Sequence, residues 1–304
     1  MSRMVFAGRR VTVGTFRCSP THPNFENEGK ISGYEFVFPR TAVWIQHSEG
    51  RPFVADPATV TLYHPGQEYR RHPLDPRGDH GDWFSVDQAM AVEAASLFEK
   101  VPEAANERPW RFTSAPGEPR TYLRQRLLLE RLERWEGQER SAEIDDLQIE
   151  ETVADLLVAV LATAYGAEGA GHRWPTVASQ DRVLNRTRAL LAVRFHEPLG
   201  LIDVAKAVGS STFHLSRLFR RATGVTLHQW RHRLRLHAAL EAIARPASGH
   251  DLTGIALDLG FSSHSHFTAA FRTAFGKPPS AIRRSDAARL AKDLAVRLRA
   301  PSRP

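Results

Sequence analysis

DLTGIALDLGFSSHSHFTAAFRTAFG, residues Asp251–Gly276, is the stretch on which the fold of this chain turns. It repeats an earlier stretch, LIDVAKAVGSSTFHLSRLFRRATG, at Leu201–Gly224. Ala205 matches Ala256, Gly209 matches Gly260, Phe219 matches Phe271 after one inserted residue, and Gly224 matches Gly276. Each unit reads as a short helix, a glycine turn and a second helix. An alanine where two helices cross lets them approach closely. A glycine just past a helix lets the chain turn through positive φ at little cost. Ser211 or Thr212, and Ser262 or Ser263, are good N-caps for the helices that follow, 212–222 and 263–274. Leu215, Leu218, Phe219 and Ala222 form an i, i+3, i+4, i+7 stripe, as do Phe267, Ala270, Phe271 and Ala274.

If each stripe packs inward, the opposite face is free. On the first helix that face carries Phe213, Ser216, Arg217, Arg220 and Arg221. On the second it carries His264, Ser265, Thr268, Ala269 and Arg272. Such a helix suits the DNA major groove: arginine takes a guanine edge by two hydrogen bonds, and Ser, Thr and His reach bases or phosphates. Arg217 is the strongest candidate for a base contact, and Arg220, Arg221 and Arg272 for phosphates. A long helix between the units, Leu227–Ala244, would hold the two readers apart. They could then enter successive grooves roughly 34 Å apart. Of Arg231, Arg233 and Arg235 on that helix, one or two at most should face DNA. His266 is expected to be structural.

The charge distribution agrees. From Thr176 onward 21 Lys and Arg stand against 8 Asp and Glu, whereas up to Pro175 the figures are 20 and 26. A polyanion partner is therefore expected for the second half only.

The segment Gly260–Arg284, GFSSHSHFTAAFRTAFGKPPSAIRR, resembles the signature of the AraC/XylS family of transcription regulators. Gly260, Phe261, Phe267, Phe271, Phe275, Gly276, Pro279 and Arg283 carry the likeness. The resemblance implies a seven-helix DNA-binding module. It puts Phe213, Ser216 and Arg217, and then His264, Ser265, Thr268 and Ala269, at base-contacting positions. Two residues depart from the pattern: Ala269 stands where the family often has Arg, and Ile282 where it often has Tyr.

The first hundred residues read as β. Tyr34–Pro39, Ala42–Gln46, Thr59–Tyr63 and Asp82–Val86 are rich in Val, Ile and aromatics, and Pro, Gly and Asp punctuate them. Two helices should follow. Arg120–Trp135 carries a stripe of Leu123, Leu127, Leu128 and Leu132. Ser141–Tyr165 carries Ile144, Leu147, Val153, Leu156, Leu157, Val160 and Leu161. The expected organisation is a two-domain α+β chain. Residues 1–166 form a β-barrel or sandwich (β over about 1–115) with helices over about 120–165. Residues 167–178 form a Gly- and Pro-containing linker, 179–285 an all-α domain of about seven helices, and 286–304 a basic tail.

The N-terminal half resembles, more loosely, the cupin-like sensor that often precedes this DNA-binding domain. The likeness rests on its β pattern and on FPR at Phe38–Arg40 and YHPGQEYR at Tyr63–Arg70. It implies a small-molecule effector, with Phe36, Phe38, Trp44, Tyr63, Trp83 and Phe84 as candidate pocket walls. The two leucine-striped helices suit either docking on the barrel or pairing with a second subunit, and the resemblance favours a homodimer.

His22, His64, His72 and His80 do not have the spacing of a metal-binding barrel, so no metal or other cofactor is expected. Asp75, Asp79, His80 and Asp82 read as a polar loop. The single Cys18 excludes an intramolecular disulfide and a cysteine-based zinc site. Met1–Arg10 is basic with no apolar segment behind it, and no run reaches the length of a membrane span. A cytoplasmic protein, bound to the nucleoid when on DNA, is expected.

These features point to a sequence-specific DNA-binding regulator, ligand-responsive and an activator, with double-stranded DNA and RNA polymerase as partners. No catalytic residue is expected. The alternatives are a metal-dependent cupin-type enzyme carrying a DNA-binding tail, and an architectural DNA binder that reads charge and deformability rather than sequence.

Overall fold

The computed structural model describes residues 2–26, 30–48, 51–102, 107–137, 145–169, 178–244 and 251–284. The N-terminal part is built on two antiparallel sheets. The larger contains β1 (Ser2–Ala7), β2 (Val11–Cys18), β3 (Tyr34–Pro39), β6 (Thr59–Tyr63), β8 (Asp79–Val86) and β9 (Ser114–Pro116), in the order β1-β2-β8-β3-β6-β9. The smaller has β4 (Val43–His47) between β5 (Phe53–Ala55) and β7 (Tyr69–Pro73).

Strand alternation divides the large sheet into two faces. Val11, Val13, Phe36, Phe38, Val60, Leu62, Phe84 and Val86 are buried in one apolar core with the helices. Those helices are α1 (Gln88–Ser96), α2 (Pro119–Gly137) and α3 (Asp146–Gly169). Residues between them along the strands, such as Glu35, Val37, Trp83 and Ser85, turn to the other face. Gly14 belongs there too: a Cβ on it would come within 2.3 Å of the Trp83 ring, so glycine is what lets the indole lie against β2.

The leucine stripes lie within this same core. Leu123, Leu127, Leu128 and Leu132 on α2, and Val153, Leu156, Leu157, Val160 and Leu161 on α3, are all buried inside the chain. They are therefore not free to pair with a second subunit. Leu147 is the exception and is exposed. Ile144 lies outside the described residues. The expected linker starts too early: α3 runs on through Gly166 to Gly169, and 170–177 lie outside the described residues, as does the tail 286–304. The expected polar loop is also corrected. Asp79 and Asp82 lie in β8, and both are buried. Asp79 is held by the Arg71 guanidinium at 3.0 Å, and only Asp75 sits in a turn, paired with Arg77 at 2.7 Å.

From Ala178 the described chain is helical: α4 (Ala178–Arg194), α5 (Leu201–Val208), α6 (Thr212–Thr223), α7 (Leu227–Ala244), α8 (Leu252–Asp258), α9 (His264–Phe275) and α10 (Pro279–Arg284). Gly209, Gly224, Gly260 and Gly276 all adopt φ between 69° and 80°, as the repeat predicts for glycines beyond helix ends. Two cores organise this half. Leu184, Val204, Leu215, Phe219, Trp230 and Leu234 join α4, α5 and α6 to the start of α7. Leu236, Leu240, Ile255, Phe261, Phe267 and Phe271 join the rest of α7 to α8 and α9, and this second core is continuous with that of the large sheet.

Candidate nucleic-acid interface

Helix α6 begins at Ser211, whose hydroxyl accepts from the His214 amide at 3.2 Å. Leu215, Leu218 and Phe219 are buried, which turns Phe213, His214, Arg217, Arg220 and Arg221 outward; Ser216 is half-buried. Phe213 is 71% exposed, unusual for so large an apolar ring. The Arg217 guanidinium lies over it, 5.3 Å from the centroid, in a cation–π arrangement that pre-positions the arginine. His214 was not among the expected contacts, although its spacing of three from Arg217 on an amphipathic helix was the available signal.

Helix α9 repeats the design. Ser263 accepts from the His266 amide at 3.1 Å, and Phe267, Phe271 and Phe275 are fully buried. His264, Ser265, Ala269 and Arg272 are exposed. Thr268 is half-buried, and its hydroxyl is buried with no hydrogen-bond partner among the described residues. His266 bonds Ser262 at 3.0 Å and packs against His232 and Phe261.

Both helices are fixed through α7. Arg235 donates to the carbonyls of Phe195 (2.7 Å), Gly260 (2.6 Å) and Glu197 (3.2 Å), tying the end of α4 to the α8–α9 turn. Burial lowers its pKa to about 10. Gly260 has no room for a side chain, since a Cβ there would meet the His196 carbonyl at 2.2 Å. Arg231 donates to the Leu199 carbonyl at 2.6 Å, and Arg233 pairs with Glu118 at 2.9 Å. All three arginines serve contacts inside the chain, within the expected limit of one or two at most facing DNA.

The helical half is docked on the sheet half through buried charge. Asp82 of β8 is fully buried, with Arg126 of α2 at 3.0 Å and Arg40 at 3.7 Å. The same two arginines hold Glu241 of α7, with Arg126 Nε at 3.0 Å and Arg40 Nε at 3.0 Å; the Tyr122 hydroxyl donates to Glu241 at 3.0 Å. Burial pulls Glu241 up, but the Arg126 and Arg40 guanidiniums outweigh it and hold it below the usual carboxylate range. At Asp82 burial wins, and the pKa rises. One turn back on α7, His237 stacks on the Tyr122 ring, 4.3 Å between centroids and 13° between planes. Burial, helped by Arg233, pushes His237 down to about 3.

A second anchor lies on α4. Arg188, fully buried, reaches Asp56 at 3.5 Å, bonds the Thr59 hydroxyl and lies 4.9 Å from the Trp230 ring centroid. Asn185 accepts from the Val54 amide at 3.3 Å and donates to the Pro52 carbonyl at 3.0 Å. None of these long-range partners carries a local sequence signal.

The candidate effector residues separate by face. Trp83 and Tyr63 line a cavity of about 430 Å³ on the far side of the large sheet, together with Glu35, Lys30, Ser85 and Tyr69. Phe36, Phe38 and Phe84 do not line it. They pack on one another at 5.2–6.0 Å in the core beneath α2, because they alternate onto the helix-covered face. Trp44 alternates away from Val43, Ile45 and His47, whose side chains are buried within the sheet module. The glutamate between Tyr34 and Phe36 was the readable sign of the cavity face.

His64 bonds the Trp110 carbonyl at 2.9 Å and His72 lies 3.3 Å from Glu26. Among the described residues no group of three His, Cys, Asp or Glu is arranged to hold a metal. No helix among them is long and apolar enough to cross a membrane.

Residues 204–285 match a helix-turn-helix domain family. The chain is 31% identical over 105 residues to the regulatory protein SoxS of Escherichia coli, covering 34% of this chain and 96% of SoxS. It is also 31% identical over 111 residues to the regulatory protein PocR of Salmonella typhimurium, and there the match covers 36% of this chain but only 35% of PocR. A solved AraC-type DNA-binding regulator from Chromobacterium violaceum is 30% identical, with 35% of this chain and 94% of that one covered and a TM-score of 0.33. The outward-facing capped helices α6 and α9 both lie within the matched residues 204–285. The chain belongs to the AraC/XylS family of DNA-binding transcription regulators.

Proposed function

We propose that this protein is a ligand-responsive activator that reads two successive major grooves with α6 and α9. The observation that carries the reading is the matched presentation of the two helices. Each has a serine N-cap, a buried apolar stripe and an exposed polar face, and both pack on α7. At about 1.5 Å per residue α7 is roughly 27 Å long, on the scale of the groove repeat. Phe213, Ser216 and Arg217, and His264, Ser265, Thr268 and Ala269, are the base readers. Arg220, Arg221 and Arg272, in the last turns of α6 and α9, take phosphates.

The two antiparallel sheets and the cavity walled by Trp83, Tyr63 and Glu35 support a cupin-like effector module. An effector acts by favouring one arrangement of the two halves, and its leverage is limited to its difference in affinity between arrangements. The buried contacts of Glu241 and Arg188 are the link through which that preference reaches both reading helices. RNA polymerase contact and a homodimer complete the reading, with the dimer contact on surfaces other than the buried leucine stripes.

The test is selection of genomic fragments by the purified full-length protein at near-physiological salt, followed by sequencing. Enrichment of two short blocks about ten base pairs apart supports a two-headed reader. A specificity ratio near one with a steep salt slope instead indicates an architectural binder.

A further inference from the structure

Among the described residues, Phe213 is the one Phe, Tyr or Trp side chain that is exposed. It stands in the first turn of α6, just after the Ser211 cap, where a reading helix meets base edges. A phenyl ring carries no hydrogen-bonding group, so it can hold neither a phosphate nor the polar edge of a base. Of the groups that base pairs display in the major groove, only the 5-methyl of thymine is apolar. Ring against methyl takes apolar surface of both out of water.

The ring also fixes its neighbour. Arg217, one turn on, lies over Phe213 at 5.3 Å from the centroid. Among the described residues no carboxylate holds that guanidinium, so its fork of donors is free while the ring sets its direction. Such a fork matches the paired acceptors O6 and N7 of guanine. Residues four apart on a helix stand about 6 Å apart along its axis, against about 3.4 Å between base pairs. The two targets therefore lie roughly one or two base pairs apart.

Helix α9 lacks both parts. Phe219 matches Phe271 in the repeat, which puts Ser265 and Ala269 at the positions of Phe213 and Arg217. Both are exposed, but neither offers a ring or a fork.

We infer, on the reading of α6 as a base-reading helix, that Phe213 and Arg217 act as one unit that selects a thymine methyl together with a guanine roughly one or two base pairs away. This sets the chemistry of the first block only, since α9 has no such pair. The ligand of Phe213 is the methyl and not the rest of the base, so 5-methylcytosine satisfies it as thymine does.

The test uses the full-length protein and the duplex it enriches most from a randomised pool. Each thymine of the first block is replaced in turn by uracil, which removes the methyl and keeps every hydrogen-bonding group. At one position the replacement should weaken binding about fourfold, the effect of one buried methyl. At that position 5-methylcytosine should bind more tightly than cytosine by a similar factor. Phe213→Ser, which copies Ser265, should erase both differences and leave the preferences of the second block unchanged. Arg217→Ala should erase a preference of about tenfold for the neighbouring guanine. Thermal melting of each variant checks that the chain is intact. If Arg217→Ala leaves every base preference as it was, α6 is not a base reader and the inference falls with that reading. If Arg217→Ala relaxes a guanine but uracil is accepted at every position, the inference alone is overturned. A methyl preference that survives Phe213→Ser overturns it too, as does a loss shared by both blocks, which would make the ring structural.

Discussion

Glu241 of α7 and Arg126 of α2 meet at 3.0 Å inside the seam between the two halves, with only 14% and 12% of their side chains exposed. Arg126 is shared with Asp82, and Glu241 with Arg40 and Tyr122, so five groups from both halves form one buried network. Such a network contributes little relative to well-packed apolar residues, but it is costly to break from one side, because the remaining charges stay buried without a partner.

Glu241→Ala should therefore destabilise the chain by about 3–5 kcal/mol. Urea unfolding of the full-length protein measures this. The double variant with Arg126→Met should lose less than the sum of the two single losses. Additive losses would mean that the two residues do not interact.

Arg217→Ala should cost about 1–3 kcal/mol on the selected site and relax preference at one base position. Arg220→Ala and Arg221→Ala should weaken binding to all sequences alike and reduce the salt slope by about one each. Phe213→Ala removes the ring beneath Arg217, so it should relax the same base position more weakly. Binding titrations against base-substituted duplexes at two salt concentrations separate these outcomes. Equal losses on selected and random DNA would make Arg217 a phosphate contact.

The two turn glycines should differ in their response to alanine. Gly209, at φ 69° with open space around it, carries only the conformational penalty, about 1 kcal/mol. Gly260, at φ 80° and against the His196 carbonyl and the Arg235 guanidinium, carries a steric penalty as well. Gly260→Ala should lower the melting temperature distinctly more than Gly209→Ala. Equal shifts would show that the α8–α9 turn yields without cost.

His237 makes stability depend on pH. Its folded pKa of about 3 lies below the ordinary 6.5. Between those values the unfolded chain takes up a proton that the folded chain refuses. The stabilisation is therefore complete above about pH 6.5 and is lost as pH falls toward 3, at up to about 1.4 kcal/mol per pH unit. His237→Phe keeps a ring against Tyr122 and removes the titration. Urea midpoints at pH 7 and pH 5 should fall less for the variant than for the parent, and an unchanged slope would rule out His237 as the source.

The sequence specified the helical half well. Boundaries for α6, α7 and α9 lie within a residue of those expected, because apolar stripes, serine caps and glycines mark the same points. The sheet half was harder to read. β7 reads YRRHP and β2 carries Gly14 and Arg17, so neither resembles a buried strand. Strands β3 and β8 carry large side chains on both faces, which hides which aromatics face the cavity. For that reason the sequence did not separate Phe36, Phe38 and Phe84, which pack in the helix-covered core, from Tyr63 and Trp83, which line the cavity. The seam was not legible at all: Arg40, Asp82, Arg126 and Glu241 come together from distant parts of the chain, and each in isolation looks like a surface charge.

The docking of α4 and α7 also bears on how freely the halves can be exchanged between proteins. Transplanted onto a foreign sensor, the helical half would carry Glu241 without its arginines and Arg188 without Asp56. Transplanted onto a foreign reader, the sheet half would expose Asp82, Arg40 and Arg126 without their carboxylate partner. A working chimera therefore has to move the matching residues with the half, or neutralise them on both sides. In this family member the natural unit of exchange is a half together with its counter-charges.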